Sequence, residues 1–200
     1  QERGKIKKTT ILRIAGVYDD RCHSIPLSNQ IQRIYEKQLT SHLFPGKLNH
    51  GASFIHMDDL IEALWLTVQK NKDLPNDSVM LIGEPDTLGY GELQKEFGRL
   101  IHGIDWQTIR IPKSLAKIGA WLQDHTPFVR PSFIKPWMID IADDHYALDV
   151  SRARNLIGWE PKCSLKNKLE KMVSELKADP ISWYDGNKLR PPVWLLKQSG

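Results

Sequence analysis

The 200-residue sequence is short of cysteine: Cys22 and Cys163 lie far apart and match no paired motif. A disulfide framework is thereby excluded, and two isolated thiols fit a reducing cytoplasm. Long apolar runs are missing too. The longest near-apolar stretch, Ile61 to Val68, is broken by Glu62 and is far too short to span a bilayer. No basic-then-apolar leader opens the chain, so nothing points to secretion, and Gln1 in place of methionine points to a fragment or a processed start. An excess of one charge is also lacking: 28 Lys and Arg face 24 Asp and Glu, a net +4. The basic residues are dispersed (Lys5, Lys7, Lys8, Arg152, Arg154, and Lys166 to Lys177) rather than gathered on one nucleic-acid-reading face. Nucleic acid is therefore not an expected partner, and no membrane contact is evident in this segment. There is no G-x-S-x-G elbow for a serine nucleophile. The seven histidines show no metal-ligand spacing, since Cys22-His23 and His50 with His56 stand as isolated pairs.

What is present suits a packed core: 40% of residues are apolar and 26% charged. Strand-like and helix-like segments alternate without repeats. Thr9 to Ile14 is short, β-branched and apolar, and the following Ala15-Gly16 predicts a buried strand ending in a tight turn. Leu27, Ile31, Ile34 and Tyr35 recur at helical spacing behind Ser24 and Pro26. Ser53-Phe54-Ile55-His56 reads as a short extended piece feeding a helix opened by Asp58 and Asp59. Carboxylates suit the free N–H groups and positive dipole end at such a start. Leu60, Ile61, Leu64, Trp65 and Val68 spread apolar groups over a wide arc, which predicts a helix well buried against a sheet. Ser78 to Gly83 is a second buried-strand candidate. Leu93, Phe97, Leu100 and Ile101 then predict a helix, Trp106 to Pro112 a strand, Ser114 to Leu122 a helix, and Asp124 to Pro136 a loop. Tyr146 to Asp149 reads as extended, and Ser151 to Leu156 as a short helix ended by Gly158. Ser164 is placed to cap an amphipathic helix bearing Leu165, Leu169, Met172, Val173 and Leu176. From Ile181 onward, two tryptophans, Gly186-Asn187 and Pro191-Pro192 predict a segment wrapped over the surface.

Three segments, in this order, resemble the extended short-chain dehydrogenase/reductase superfamily of NAD-dependent epimerases and dehydratases. Thr10-Ile11-Leu12-Arg13-Ile14-Ala15-Gly16-Val17-Tyr18 is similar to the strand and loop after that family's catalytic helix. Phe54-Ile55-His56-Met57-Asp58-Asp59-Leu60 is similar to its "fvHvdDla" segment. Leu148-Asp149-Val150-Ser151-Arg152-Ala153-Arg154, with Leu156, Gly158-Trp159 and Pro161, is similar to "D-x-S-K-A-R-x-x-L-G-W-x-P", with Arg152 replacing the usual lysine. The resemblance covers most of residues 9–178. It implies an α/β fold: the C-terminal part of a Rossmann-type doubly wound parallel sheet plus a smaller α/β substrate-binding lobe. Residues 1–83 would close the cofactor-binding sheet, with 21–52 partly in the substrate lobe, and 84–200 would form that lobe and a tail.

The same resemblance shows what is absent. The family cradles the dinucleotide pyrophosphate on a glycine-rich loop at a helix N-terminus. A tyrosine, with a lysine four residues on, handles the proton. Both belong upstream of the segment that starts this chain. Gly89-Tyr90-Gly91 comes near G-x-G-x-x-G, but Gln94 holds the third glycine position, so it reads as a helix-start turn. Tyr184 to Lys188 fits Tyr-x-x-x-Lys in letters only, because Gly186-Asn187 between Pro180 and Pro191 argues for a turn. This chain alone is not expected to catalyse hydride transfer.

The implied function is the C-terminal portion of an NAD(P)-dependent epimerase/dehydratase or oxidoreductase, with NAD or NADP as cofactor. The alternative is a non-catalytic Rossmann-fold regulator or assembly subunit. Open α/β sheets bind ligands at the carboxyl ends of their strands, and the resemblance puts Ala15, Gly16, Val17 and Tyr18 beside the nicotinamide. As a bare residue type, Gly16 is equally a turn glycine, His56 a buried hydrogen-bonded histidine, and Asp58 and Asp59 helix caps. His56, Arg130, Trp137 and Tyr146 are the candidate substrate-side residues; no metal ligand is expected. Family members acting on nucleotide sugars resemble one another in an arginine just before "fvHvdDla", where this chain has Ala52. Gly16 stands where an asparagine often touches the sugar, and Asp143-Asp144-His145-Tyr146 replaces an "R-x-G-D" stretch. A bulkier or less charged small molecule is therefore the expected substrate class, in a cytoplasmic protein for which a homodimer is compatible.

Overall fold

The structure, a computed structural model, describes residues 8–125 and 135–198. In chain order the elements are β1 (Thr10–Ile14), β2 (Gly16–Tyr18), α1 (Ile25–Tyr35), β3 (Leu43–Phe44), β4 (Phe54–His56), α2 (Met57–Gln69) and β5 (Ser78–Ile82). There follow α3 (Tyr90–His102), β6 (Ile109–Arg110), α4 (Lys113–His125), α5 (Pro136–Asp140), α6 (Ser151–Ile157), α7 (Leu165–Ala178), α8 (Pro180–Gly186) and α9 (Val193–Gln198).

The described strands pair in parallel: β1 with β5, β2 with β4, and β3 with β6. Ile11 lies opposite Val79, as neighbouring strands of one parallel layer require. Ala15 marks a change of partner. Its N–H still donates to Ile82 O at 2.9 Å, but the Gly16 N–H donates to Ser53 O at 3.2 Å, and β2 continues against β4. The chain therefore switches neighbours at the carboxyl end of β1, and this opens a hollow there. Two apolar cores flank the strands. One gathers Ile55, Leu60, Met80, Ile82, Ala153 and Trp159 from β4, α2, β5 and the α6 segment. The other gathers Ile31, Phe97, Met172 and Tyr184 from α1, α3, α7 and α8.

Several expectations are corrected. The wide apolar arc of α2 is not well buried: Leu60 and Ala63 face the core, but Trp65 is 60% and Val68 71% exposed. The arc is wider than the single side on which β4 and α6 pack. The cap of α2 is His56, whose Nδ1 accepts from the Asp58 N–H, rather than either aspartate. Ser164 holds the cap position of α7 without a side-chain bond; Glu84 reaches in and accepts the Leu165 N–H at 2.7 Å. The Trp106–Pro112 strand shrinks to Ile109-Arg110, and Tyr146 to Asp149 is extended but joins no ladder. The tail does not merely wrap the surface, because α8 buries Trp183 and Tyr184 against α7. Asp179 holds α8 in place by accepting the Ser182 N–H.

Candidate functional site

Two hollows lie beside β4, and Ala52 lines both. The first, about 300 Å³, lies at the carboxyl end of β1 and is lined by Arg13, Ala15, Gly16, Ala52, Ser53, Tyr146 and neighbours. Ala15 is half-buried and Gly16 exposed, so main chain faces the opening. Gly16 is required by close approach: a Cβ there would stand 2.9 Å from Phe54 Cδ1. Tyr146 is held across the hollow by its own backbone. Its N–H donates to Gly51 O at 3.1 Å, and its carbonyl accepts from Thr87 Oγ1 at 2.8 Å.

The second hollow, about 260 Å³, is bounded by α1, β3, α5 and the start of α3, and Ala52 lines both hollows. Its wall is mostly apolar, and Arg33 is its only charged residue among the described residues. Phe44 and Tyr90 stack face to face with centroids 3.7 Å apart. Arg33 Nη2 donates to the Tyr90 hydroxyl at 3.0 Å.

Beneath the first hollow lies a buried polar knot. The Tyr18 ring is fully enclosed, edge-on to Phe54 and His56, and its hydroxyl donates to Glu84 Oε1 at 2.7 Å. Burial pushes both the Tyr18 phenol and the Glu84 carboxyl upward from their ordinary values. His56 is 3% exposed, caps α2 and pairs through Nε2 with Asp20. The Lys168 ammonium bonded to Asp20 holds that carboxyl below the usual range. Asp59 accepts the N–H groups of Lys162 and Cys163, clasping the turn before α7.

The residues marked from sequence are thus divided. Ala15, Gly16 and Tyr146 come together at the first hollow. Tyr18 and His56 are packed beneath it, and Val17 is half-buried in β2. Trp137 is 60% exposed on α5 and lines neither hollow, although Met138 and Ile139 beside it line the second. Arg130 lies outside the described residues. Gln30, Arg33, Phe44 and Tyr90 were not foreseen; only the apolar stripe of α1 signalled that this helix packs at all. The turn at Gly89 is not a free anion cradle: the Tyr90 and Gly91 N–H groups already donate to His50 O and Leu48 O. Tyr184 lies on α8 but bonds to Glu36, and Lys188 falls beyond the helix end at φ 55°. Among the described residues no group of three or more His, Cys, Asp and Glu could hold a metal, and no helix is long and apolar enough to cross a membrane.

The profile of the family described as GDP-mannose 4,6 dehydratase matches residues 20–172, well over half of the chain. The chain belongs to the GDP-mannose 4,6 dehydratase family. It is 26% identical over 137 residues to GDP-mannose 4,6 dehydratase 1 of Arabidopsis thaliana, covering 68% of this chain and 31% of that protein. Among solved structures it is similar to dTDP-glucose 4,6-dehydratase of Bacillus anthracis in complex with NAD. That match has a TM-score of 0.59 at 13% identity, over 88% of this chain and 47% of the other. It is likewise similar to UDP-glucuronic acid 4-epimerase of Bacillus cereus in complex with UDP-glucuronic acid and NAD, with a TM-score of 0.57 at 18% identity, over 84% and 45%. These similarities show the fold, and the superfamily resemblance carried by the three sequence segments holds. This GDP-mannose 4,6 dehydratase family chain spans less than half the length of each of these relatives.

Proposed function

We propose that this chain is the C-terminal portion of an NAD(P)-dependent epimerase/dehydratase or oxidoreductase, supplying the nicotinamide-side loop and the substrate pocket. The observation that carries the reading is the hollow at the carboxyl end of β1, lined by Ala15, Gly16 and Tyr146, with Ala52 lining both it and the second hollow. A bound nicotinamide would take or give a hydride there. Ala15 and Gly16 offer it close main-chain contact, Val17 and Tyr18 brace that loop from β2, and Tyr146 borders the substrate side. We assign His56 to holding the loop through Asp20, and keep Trp137 and Arg130 as candidate substrate-side residues. Residues 1–83 would close the cofactor-side sheet, onto which α6 returns, with 21–52 partly in the substrate lobe; residues 84–200 would form the rest of that lobe and a tail.

The exposed apolar arc of α2 and the half-exposed Ile11 and Ile14 of β1 support a covering α/β half that bears the pyrophosphate loop and the proton-handling tyrosine. We place the whole protein in the cytoplasm, as a homodimer acting on a small molecule. The test is calorimetric titration of the intact protein with NAD and with NADP, followed by a turnover assay. Binding of one of them is expected; binding of neither overturns the reading, and binding without turnover on any small-molecule panel would favour a regulator.

A further inference from the structure

We infer that the second hollow receives a substrate with an apolar body and one carboxylate, held by Arg33 and Gln30. The inference rests on the function proposed above and names its substrate class. Gln30 is 6% exposed, yet its Nε2 has no hydrogen-bond acceptor. Arg33 Nε and Nη1 are equally shielded and equally without an acceptor. Buried donors are paired in the great majority of native sites, and a guanidinium left two donors short is a site for an oxyanion. Arg33 is held only through Nη2, by the Tyr90 hydroxyl, so a turn about its side-chain torsions presents the free edge to a ligand. Gln30 and Arg33 lie three apart on α1 and so share a helix face, and both border the hollow.

Charge decides the class. A nucleoside diphosphate brings two phosphates and needs more than one cation to offset them once water is excluded. Among the described residues the wall supplies one guanidinium, and Ala52 adds a methyl group. The remainder, with Leu27, Phe44, Phe54, Leu93 and Ile139, suits hydrocarbon or an aromatic ring.

The test uses the intact protein and three probes: 2-naphthoate, neutral 2-naphthylmethanol, and UDP. Calorimetry is expected to rank naphthoate above both others. Arg33→Met should weaken naphthoate by about tenfold or more, the usual size of a charge-assisted bond, while leaving naphthylmethanol and NAD binding as they were; Arg33→Lys should restore part. Gln30→Leu keeps the bulk and should give a smaller loss of the same kind, so the inference stays exposed even if Arg33→Met fails to fold. UDP binding above naphthoate, no naphthoate binding, or naphthoate binding unchanged in both variants would each overturn it. Loss of NAD binding by the parent protein would instead strike the function proposed above.

Discussion

The Tyr18 hydroxyl donates to Glu84 Oε1 at 2.7 Å, while the other oxygen of Glu84 accepts the Leu165 N–H at 2.7 Å. One buried carboxylate thus ties the loop facing the first hollow to the first turn of α7. It replaces the side-chain cap that Ser164 does not make.

Stability should carry the signature of that carboxylate. Burial raises the Glu84 value in the folded protein. Its contribution is fully present below the ordinary glutamate value, about 4.3, and is lost as pH rises through the raised one. Glu84→Gln removes this titration, so the variant should gain on the parent as pH rises from the ordinary glutamate value through the raised one. Urea melts at several pH values check the sign; a constant difference would refute it.

Asp59 is 2% exposed and accepts two backbone N–H groups, from Lys162 at 3.1 Å and Cys163 at 2.8 Å. Asp59→Ala leaves both without an acceptor and should cost about 2 kcal/mol or more. Asp59→Asn, which keeps one accepting oxygen, should cost less. Chemical denaturation of the pair measures the difference.

Gly16→Ala drives a methyl into the Phe54 ring, which also walls the second hollow. A loss of about 1–3 kcal/mol in stability is expected from overpacking. Cofactor affinity of the intact protein should fall with it. Thermal melts with and without NAD separate the two effects.

Trp65 tests whether α2 is covered in the intact protein. If an α/β half lies on this arc, Trp65→Glu should destabilise by at least the roughly 1.5–3 kcal/mol of a large buried apolar side chain. A change within about 0.5 kcal/mol, typical of free surface, would show the arc to be bare.

Much of the frame was legible in the sequence because it rests on local pattern. The β-branched run from Thr9 and the run from Ser78 predicted β1 and β5, although β1 is half exposed and leads into strand β2 instead of a tight turn, and helical spacing predicted α1, α3 and α7. Asp59 was misread as a cap, because its partners lie more than a hundred positions away in the chain. The α2 arc was misread as buried, because periodicity reports a wish to be covered and not the presence of a cover.

By itself, the sequence determined β1, β4 and β5, the helices α1 to α4, α6 and α7, the family resemblance, the lack of a G-x-G-x-x-G run, and Ala52 where an arginine often stands. Each follows from residue type and short spacing. Only the tertiary structure decided that Ala52 lines both hollows, that Tyr18 turns inward to Glu84, and that Gln30 Nε2 and Arg33 Nε and Nη1 stand without acceptors beside an apolar wall. These depend on which distant segments pack together, because burial and hydrogen-bond pairing are settled between elements and not within them.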